Sequence, residues 1–87
     1  MPYITQGDRK IFERELTTLI ADLKAGCNSP GEINYCFSRI IWALFDEKPS
    51  YATANNLLGV LEAVKQEFYR RKVVPYEDQK LEQNGDL

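Results

Sequence analysis

The sequence predicts an all-α fold: a core of three helices followed by a short C-terminal helical extension. Apolar residues recur every three or four positions in three successive segments, and residues that start or stop helices bound those segments. The chain has 87 residues, without an internal repeat or an interdomain linker. That length suits one domain and is too short for two, so we expect residues 1–87 to form a single helical domain.

The first predicted helix covers residues 6–25. Thr5, with Asp8 three residues later, forms a weak version of a capping box at its start, and Gly26 is expected to end it in a left-handed conformation. The apolar stripe of this helix consists of Phe12, Leu16, Leu19, Ile20 and Leu23. Its spacing predicts that one face of the helix packs against the core.

The second predicted helix begins at the sequence SPGE, residues 29–32. Ser29 is expected to accept a hydrogen bond from the amide of Glu32, whose carboxylate reaches back to the amide of Ser29, while Pro30 takes the first helical position. The helix is predicted to run to Asp46, before a turn at residues 47–50 that contains a proline. Its apolar stripe consists of Ile33, Phe37, Ile40, Ile41, Leu44 and Phe45.

Ser50 or Thr53 is predicted to cap the third helix, which ends near Lys72, before the Val-Val-Pro sequence at residues 73–75. Its apolar residues are Ala54, Leu57, Leu58, Leu61, Val64 and Phe68. Gly59, in its interior, costs roughly 1 kcal/mol relative to alanine. This glycine indicates either the close approach of another helix or a weak point.

The C-terminal extension is predicted as a short fourth helix that follows the proline at residue 75. It is expected to stop at Asn84 and Gly85, a residue pair that is typical of helix ends.

The composition argues against several classes of function. The net charge is -2, so no global basic field favours nucleic acid, which ranks below the other candidate partners. The chain contains no histidine, and histidine is the usual general base and the commonest metal ligand. Acidic pairs near the core helices, which a magnesium-dependent nucleotide hydrolase needs, are missing as well. We therefore expect no enzymatic activity, no cofactor and no metal site.

The sequence also predicts a cytoplasmic protein. No stretch approaches the roughly 18 apolar residues that span a bilayer, so we expect no membrane contact, and the first nine residues are too polar for a secretory signal. Cys27 and Cys36 are the two cysteines of the chain. We interpret both as free thiols in a reducing compartment, because a secreted domain of this size usually carries more cysteines.

A cluster of cations and tyrosines near the end of the third helix is the main candidate site. Its members are Tyr69, Arg70, Arg71, Lys72 and Tyr76. Arginine forks and stacking tyrosines suit a nucleotide-like anion. In the alternative interpretation, which we favour, the cations complement the helix dipole and pair with Glu77, Asp78 and Glu82 within the molecule or across an oligomer.

Two smaller polar sets lie on the second and third helices. Asn34 and Tyr35 stand near the start of the second helix, and Asn55 and Asn56 lie on the third. Such residues fix helix registry when they find hydrogen-bond partners, and the helix amides near Asn34 could alternatively contribute to an anion site. Trp42 lies at the edge of an apolar stripe, which is typical of a core or a subunit interface.

Four segments carry a resemblance: MPYI at residues 1–4, PGEINY at 30–35, GVLEAVKQEFYRR at 59–71 and PYEDQKLEQNGD at 75–86. The chain resembles a widespread family of short uncharacterised proteins from bacteria, archaea and phages, with the pattern PGELNY, GVLE, YRRxxxPYExxK and NGD. Cys36, Phe37 and Ser38 replace the valine, isoleucine and threonine that are usual there, a difference that should affect packing alone.

The resemblance implies a shared surface, because the family pattern falls largely on polar and aromatic positions. These positions are Asn34, Tyr35, Tyr69, Arg70, Arg71, Tyr76, Glu77, Lys80, Asn84 and Asp86. We take the first eight as the candidate ligand or interface residues.

The favoured function is therefore a non-enzymatic helical interaction module. We expect it to be a homo-oligomer, because a domain this small is marginally stable alone. We also expect it to act by binding a protein partner and to be encoded by phages among other genomes. The alternative is a protein that binds or sequesters a small anionic ligand, such as a nucleotide, through the Tyr-Arg-Arg and Pro-Tyr-Glu residues.

Overall fold

A computed structural model describes residues 3–26 and 29–87. It contains helices α1 (Gln6–Ala25), α2 (Pro30–Glu47), α3 (Tyr51–Phe68) and α4 (Val74–Asn84), and a π-helical segment, Tyr69–Val73, joins α3 to α4. The predicted all-α fold class, with three helices and a C-terminal helical extension, is confirmed. The chain divides into two compact units, Met1–Ser50 (unit 1) and Tyr51–Leu87 (unit 2).

Local hydrogen bonds fix the start of α1 as predicted, but its end differs from the prediction. The Thr5 hydroxyl accepts from the amide of Asp8 at 3.3 Å. Gly26, at φ -81° and ψ -160°, is extended rather than left-handed, and its amide donates to the carbonyl of Asp22. That single bond closes the last turn without a left-handed residue, so the prediction for Gly26 was wrong.

The capping box of α2 is confirmed in both directions. Glu32 donates its amide to the Ser29 hydroxyl at 3.2 Å, and the Glu32 carboxylate accepts from the Ser29 amide at 3.3 Å. Pro30 occupies the first turn, where its missing amide hydrogen is not needed. The helix ends at Glu47, one residue after the predicted end.

Unit 2 is one continuous helical run, residues 51–84, and not two helices separated by a break. Phe68, Val73 and Val74 all have right-handed helical dihedral angles. The Val74 amide donates to the carbonyl of Tyr69, five residues back, which is the π-helical pattern. The predicted helix end near Lys72 was therefore wrong, because the chain stays helical through the proline.

The C-terminal end of α4 is confirmed at Asn84. Gly85 follows in a positive-φ conformation, at 89°, and donates its amide to the carbonyl of Leu81 at 2.9 Å. A residue without Cβ adopts this conformation without steric cost, which explains why a glycine stands at this position.

Neither unit encloses a buried core. No side chain in residues 3–26 and 29–87 is buried. The most covered apolar residues of unit 1 are only half-buried, and they include Leu19 and Leu23 on α1 and Ile33, Cys36 and Ile41 on α2. Cys36 is a free thiol, whereas Cys27 lies outside the described residues. Among those residues, no helix is long and apolar enough to cross a membrane.

Gly59 tests whether another helix packs against the face of α3 on which this glycine lies. A Cβ placed on Gly59 would meet nothing within 4 Å in the described structure, which favours the weak-point interpretation within unit 2. We predict that Gly59→Ala raises the free energy of unfolding by roughly 0.5–1 kcal/mol, because alanine restricts the unfolded chain and favours the helix. Urea unfolding followed by circular dichroism measures this change. Destabilisation would mean that another helix packs against this position.

Candidate functional site

The π-helical segment holds four of the five residues of the predicted cluster, and the fifth, Tyr76, lies in α4. Pro75, in the first turn of α4, cannot donate an amide hydrogen bond. In a regular α-helix its ring would also clash with the carbonyl four residues earlier. A π turn adds one residue to the turn before the proline and so relieves this clash. Tyr69, Arg70, Arg71 and Lys72 all lie in that wider turn.

The two arginines of the cluster pair with Glu67 on their own helix. Arg70 Nη2 donates to both carboxylate oxygens of Glu67, at 3.0 and 3.1 Å. Arg71 Nη1 lies 4.0 Å from Glu67 Oε2. The side chains of Arg70 and Arg71 are 69% and 58% exposed, and that of Glu67 is 31% exposed. One carboxylate therefore offsets part of the positive charge that an anionic ligand would meet.

A hydrogen bond between Tyr69 and Glu77 spans the π-helical segment. The Tyr69 hydroxyl donates to Glu77 Oε1 at 3.1 Å. This bond raises the pKa of Tyr69 above its ordinary value, because the carboxylate accepts the phenolic proton; repulsion by the Glu77 charge and a small desolvation act in the same direction. Glu77, one of the predicted partners of the arginines, is thus the partner of a tyrosine instead.

Tyr76 and Lys80 form a second local pair one turn further along α4. The Lys80 ammonium lies 5.6 Å from the centroid of the Tyr76 ring. This distance is within the range of a cation–π interaction, which contributes about 0.5–1 kcal/mol at an exposed site.

An apolar groove borders the π-helical segment. It has a volume of about 470 Å³ and is lined by Lys65, Gln66, Phe68, Tyr69 and Val73. Tyr69 therefore contributes its ring to the groove and its hydroxyl to Glu77. The groove contains one cation and no arginine, so it suits an apolar or aromatic side chain better than a phosphate.

The remaining candidates, Asn34 and Tyr35, lie in unit 1. Asn34 Oδ1 accepts from the Ser38 hydroxyl at 3.0 Å, one turn along α2. In the first turn of the helix the Glu32 amide already donates to the Ser29 hydroxyl, and the Glu32 carboxylate brings negative charge there. These contacts favour a structural role for the polar start of α2 over an anion site.

Tyr35 borders two surface grooves of unit 1. One, of about 560 Å³, lies between α1 and α2 and includes Leu19, Leu23 and Cys36 in its wall. The other, of about 410 Å³, lies along α2 and includes Arg39 and Trp42. Tyr35 and Trp42 are each 64% exposed.

The structure thus places six predicted residues in one helical run of unit 2 and two in unit 1. The six are Tyr69, Arg70, Arg71, Tyr76, Glu77 and Lys80. Sequence reasoning missed Glu67 as the partner of the arginines, although its spacing of three and four residues from them was a readable signal. Within residues 3–26 and 29–87, no three Cys, Asp or Glu side chains form a candidate metal site.

A family model described as a domain of unknown function, DUF6899, matches residues 1–87. The chain belongs to this family. No curated protein and no solved structure matches the chain. The match includes both units, so the cation cluster and the exposed Tyr35 and Trp42 of α2 lie within the matched region.

The Tyr69–Glu77 bond can be tested by titration. We predict that Glu77→Gln lowers the pKa of Tyr69, because the amide removes both the carboxylate acceptor and its negative charge. In the native chain the bond contributes stability below the ordinary pKa of 10.0, and this contribution is lost as the pH rises through the higher pKa of the folded protein. Carbon NMR of the tyrosine rings follows the titration of Tyr69. The control Glu82→Gln should leave it unchanged, and an equal shift in both variants would contradict this assignment.

Proposed function

We propose that this chain is a non-enzymatic helical interaction module whose first protein partner is a second copy of itself. The observation that carries the proposal is the absence of any buried side chain in residues 3–26 and 29–87. A folded domain gains most of its stability from apolar burial, roughly 1.5–3 kcal/mol for each large apolar side chain. A unit that buries none of these side chains gains such stability only through contact with further helices, and a second copy supplies them.

The apolar stripes of all three helices remain open to a partner. Several large apolar side chains are more than 45% exposed. They are those of Phe12, Leu16, Ile20, Phe37, Ile40, Leu44, Val64 and Phe68. Exposed apolar residues that occur singly are ordinary, but contiguous ones mark interaction surfaces.

Helix α2 carries apolar or aromatic residues on two opposite faces. At about 100° per residue, Phe37, Ile40 and Leu44 share one face, and Tyr35 and Trp42 share the other. One packed helix covers only one of these faces. Tyrosine and tryptophan are enriched in protein interfaces, where their rings are buried and their polar atoms still find partners. The Tyr35 and Trp42 face therefore supports a contact with a second molecule.

The apolar stripes of each copy offer surface for a homo-oligomer. A standard protein interface buries only about 800 Å² on each partner. A second copy supplies the same apolar stripes, so each copy covers the other, as in an isologous dimer.

The alternative function is sequestration of a nucleotide-like anion at the cation cluster. It is supported by the concentration of Arg70, Arg71 and Lys72 in one π turn beside Tyr69. The contact of both arginines with Glu67 weakens it, because a phosphate would have to compete with that carboxylate. We therefore place this function second.

We also propose a cytoplasmic location and phage-encoded family members. The first rests on the reducing compartment that two cysteines suit, and the second on the sequence resemblance. These two proposals do not depend on the proposed self-assembly.

We predict that the protein self-associates at micromolar concentration. Light scattering should give a mass at least twice the 10.0 kDa of one chain, because the apolar stripes stay out of water only in the assembled form. A mass of 10.0 kDa would contradict the proposal.

The nucleotide alternative makes a separate prediction that calorimetry can check. We expect no heat of binding when nucleotides or inorganic phosphate are titrated into the native chain. If the cluster does serve an anion, Glu67→Gln should strengthen binding, because it removes the competing carboxylate, and Arg70→Ala with Arg71→Ala should abolish it. That pair of responses would make sequestration the favoured function.

A further inference from the structure

The last turn of α4 ends on the dipeptide Asn84-Gly85, and we propose that this dipeptide is a site of spontaneous deamidation. Asn84 is the last residue of α4, and it is exposed. Of the asparagines in the sequence, Asn84 alone precedes a glycine. The proposed modification is a reaction of the chain with water, and it does not depend on the proposed self-association.

The reaction needs only the groups of the dipeptide and water. The Gly85 main-chain nitrogen gives its proton to hydroxide and attacks Cγ of the Asn84 side chain. A C–N bond forms, and the bond from Cγ to the side-chain nitrogen breaks. That nitrogen takes a proton from water, which regenerates the hydroxide, and leaves as ammonia. The cyclic succinimide then adds one water at either of its carbonyl carbons and opens to aspartate or isoaspartate.

Gly85 removes the steric barrier to this attack. A Cβ on the second residue crowds the approach of its nitrogen to the asparagine side chain, and glycine has no Cβ. A Cβ built on Gly85 would meet nothing within 4 Å in the described structure, apart from its chain neighbours. Solvent, which supplies both the base and the water, therefore reaches the dipeptide.

The other asparagines of the chain lack this combination. Asn34, Asn55 and Asn56 lie inside α2 and α3 and precede residues with larger side chains. Asn28 precedes a serine. Steric crowding slows ring closure at each of these residues, so we expect Asn84 to react first.

The last turn of α4 holds the dipeptide out of the reactive geometry. The Gly85 amide donates to the carbonyl of Leu81 at 2.9 Å, so the nitrogen that must lose its proton keeps it in a hydrogen bond. Asn84 belongs to the helix, and helical residues have ψ close to about -42°. Ring closure requires a rotation away from this value. Deamidation therefore occurs when the last turn opens, and helix ends open more readily than helix centres.

Deamidation makes this opening permanent. The product adds a negative charge at the C-terminal end of α4, where the helix dipole disfavours anions. Glu82 and Asp86 lie within two residues of Asn84, so repulsion between like charges acts in the same direction. Isoaspartate also lengthens the main chain by a methylene, which displaces the Gly85 amide from Leu81. We expect α4 of the deamidated chain to end about one turn earlier.

Peptide mass spectrometry of the whole chain, incubated for several weeks in mildly alkaline buffer, tests the site. Trypsin cleavage after Lys80 releases a peptide in which Asn84 is the only asparagine. Its mass should rise, relative to the chain before incubation, by the difference between a hydroxyl and an amino group. Electron-transfer fragmentation should identify isoaspartate at position 84. No mass change, or an equal change in the control Gly85→Ala, would overturn the site.

The rate of the reaction tests the protection by the last turn. Gln83→Gly weakens that turn without changing either residue of the dipeptide, because glycine is a poor helix former. It should accelerate deamidation of Asn84 several-fold. The matched control Gln66→Gly carries the same substitution in α3 and should leave the rate unchanged. An unchanged rate in Gln83→Gly, or equal acceleration in both variants, would overturn the role of the last turn.

The variant Asn84→Asp tests the consequence, because it supplies the aspartate product in pure form. Hydrogen exchange of the amides in the last turn of α4 should be several-fold faster in this variant than in the native chain, while exchange in α3 stays the same. The control Asn84→Gln adds no charge and should exchange more slowly than Asn84→Asp. Equal exchange in the native chain and in Asn84→Asp would contradict the proposed loss of the turn.

Discussion

The need to cover apolar helix faces is the constraint on which the rest of this structure depends. Capping boxes, a positive-φ glycine and i,i+4 pairs fix where each helix begins and ends, but such contacts contribute only about 0.3–2 kcal/mol each. They cannot offset the conformational entropy lost on folding, which is about 1–2 kcal/mol for each residue. Apolar burial must supply the difference, and neither unit contains a buried side chain in its described residues. In the proposed self-association, a second copy supplies this burial.

The π-helical segment links this constraint to the polar residues in and around the cation cluster. By holding the helix intact through Pro75, it keeps Tyr69 within hydrogen-bonding distance of Glu77. It also keeps Arg70 and Arg71 beside Glu67. These contacts give the polar and aromatic positions a structural role along one extended helix.

Much of the fold could be predicted from the sequence because local signals specify it. The capping box at Ser29 and Glu32, the cap at Thr5 and the end at Gly85 depend on residues within four positions of each other. The continuous helix through Pro75 could not be predicted in this way. A proline normally disfavours the helical conformation before it, and only the extra residue of a π turn removes the clash.

The site was predicted less completely than the fold. The residues from Tyr69 to Lys80 do lie on one helical run, but Glu67 was missed, and within the chain Glu77 accepts from Tyr69. The surface that meets a partner depends on how the helices pack together. The spacing of residues along one sequence does not specify that packing. Single-domain organisation and the binding function remain predictions for the same reason.

The concentration dependence of the thermal midpoint tests the central claim most directly. If folding and assembly are coupled, mass action stabilises the helices as protein is added, so the midpoint by circular dichroism should rise by several degrees between about 1 and 100 μM. The ellipticity itself should fall on dilution at a fixed temperature near the midpoint. A midpoint that stays constant over this range would show that one copy is stable alone and would contradict the account.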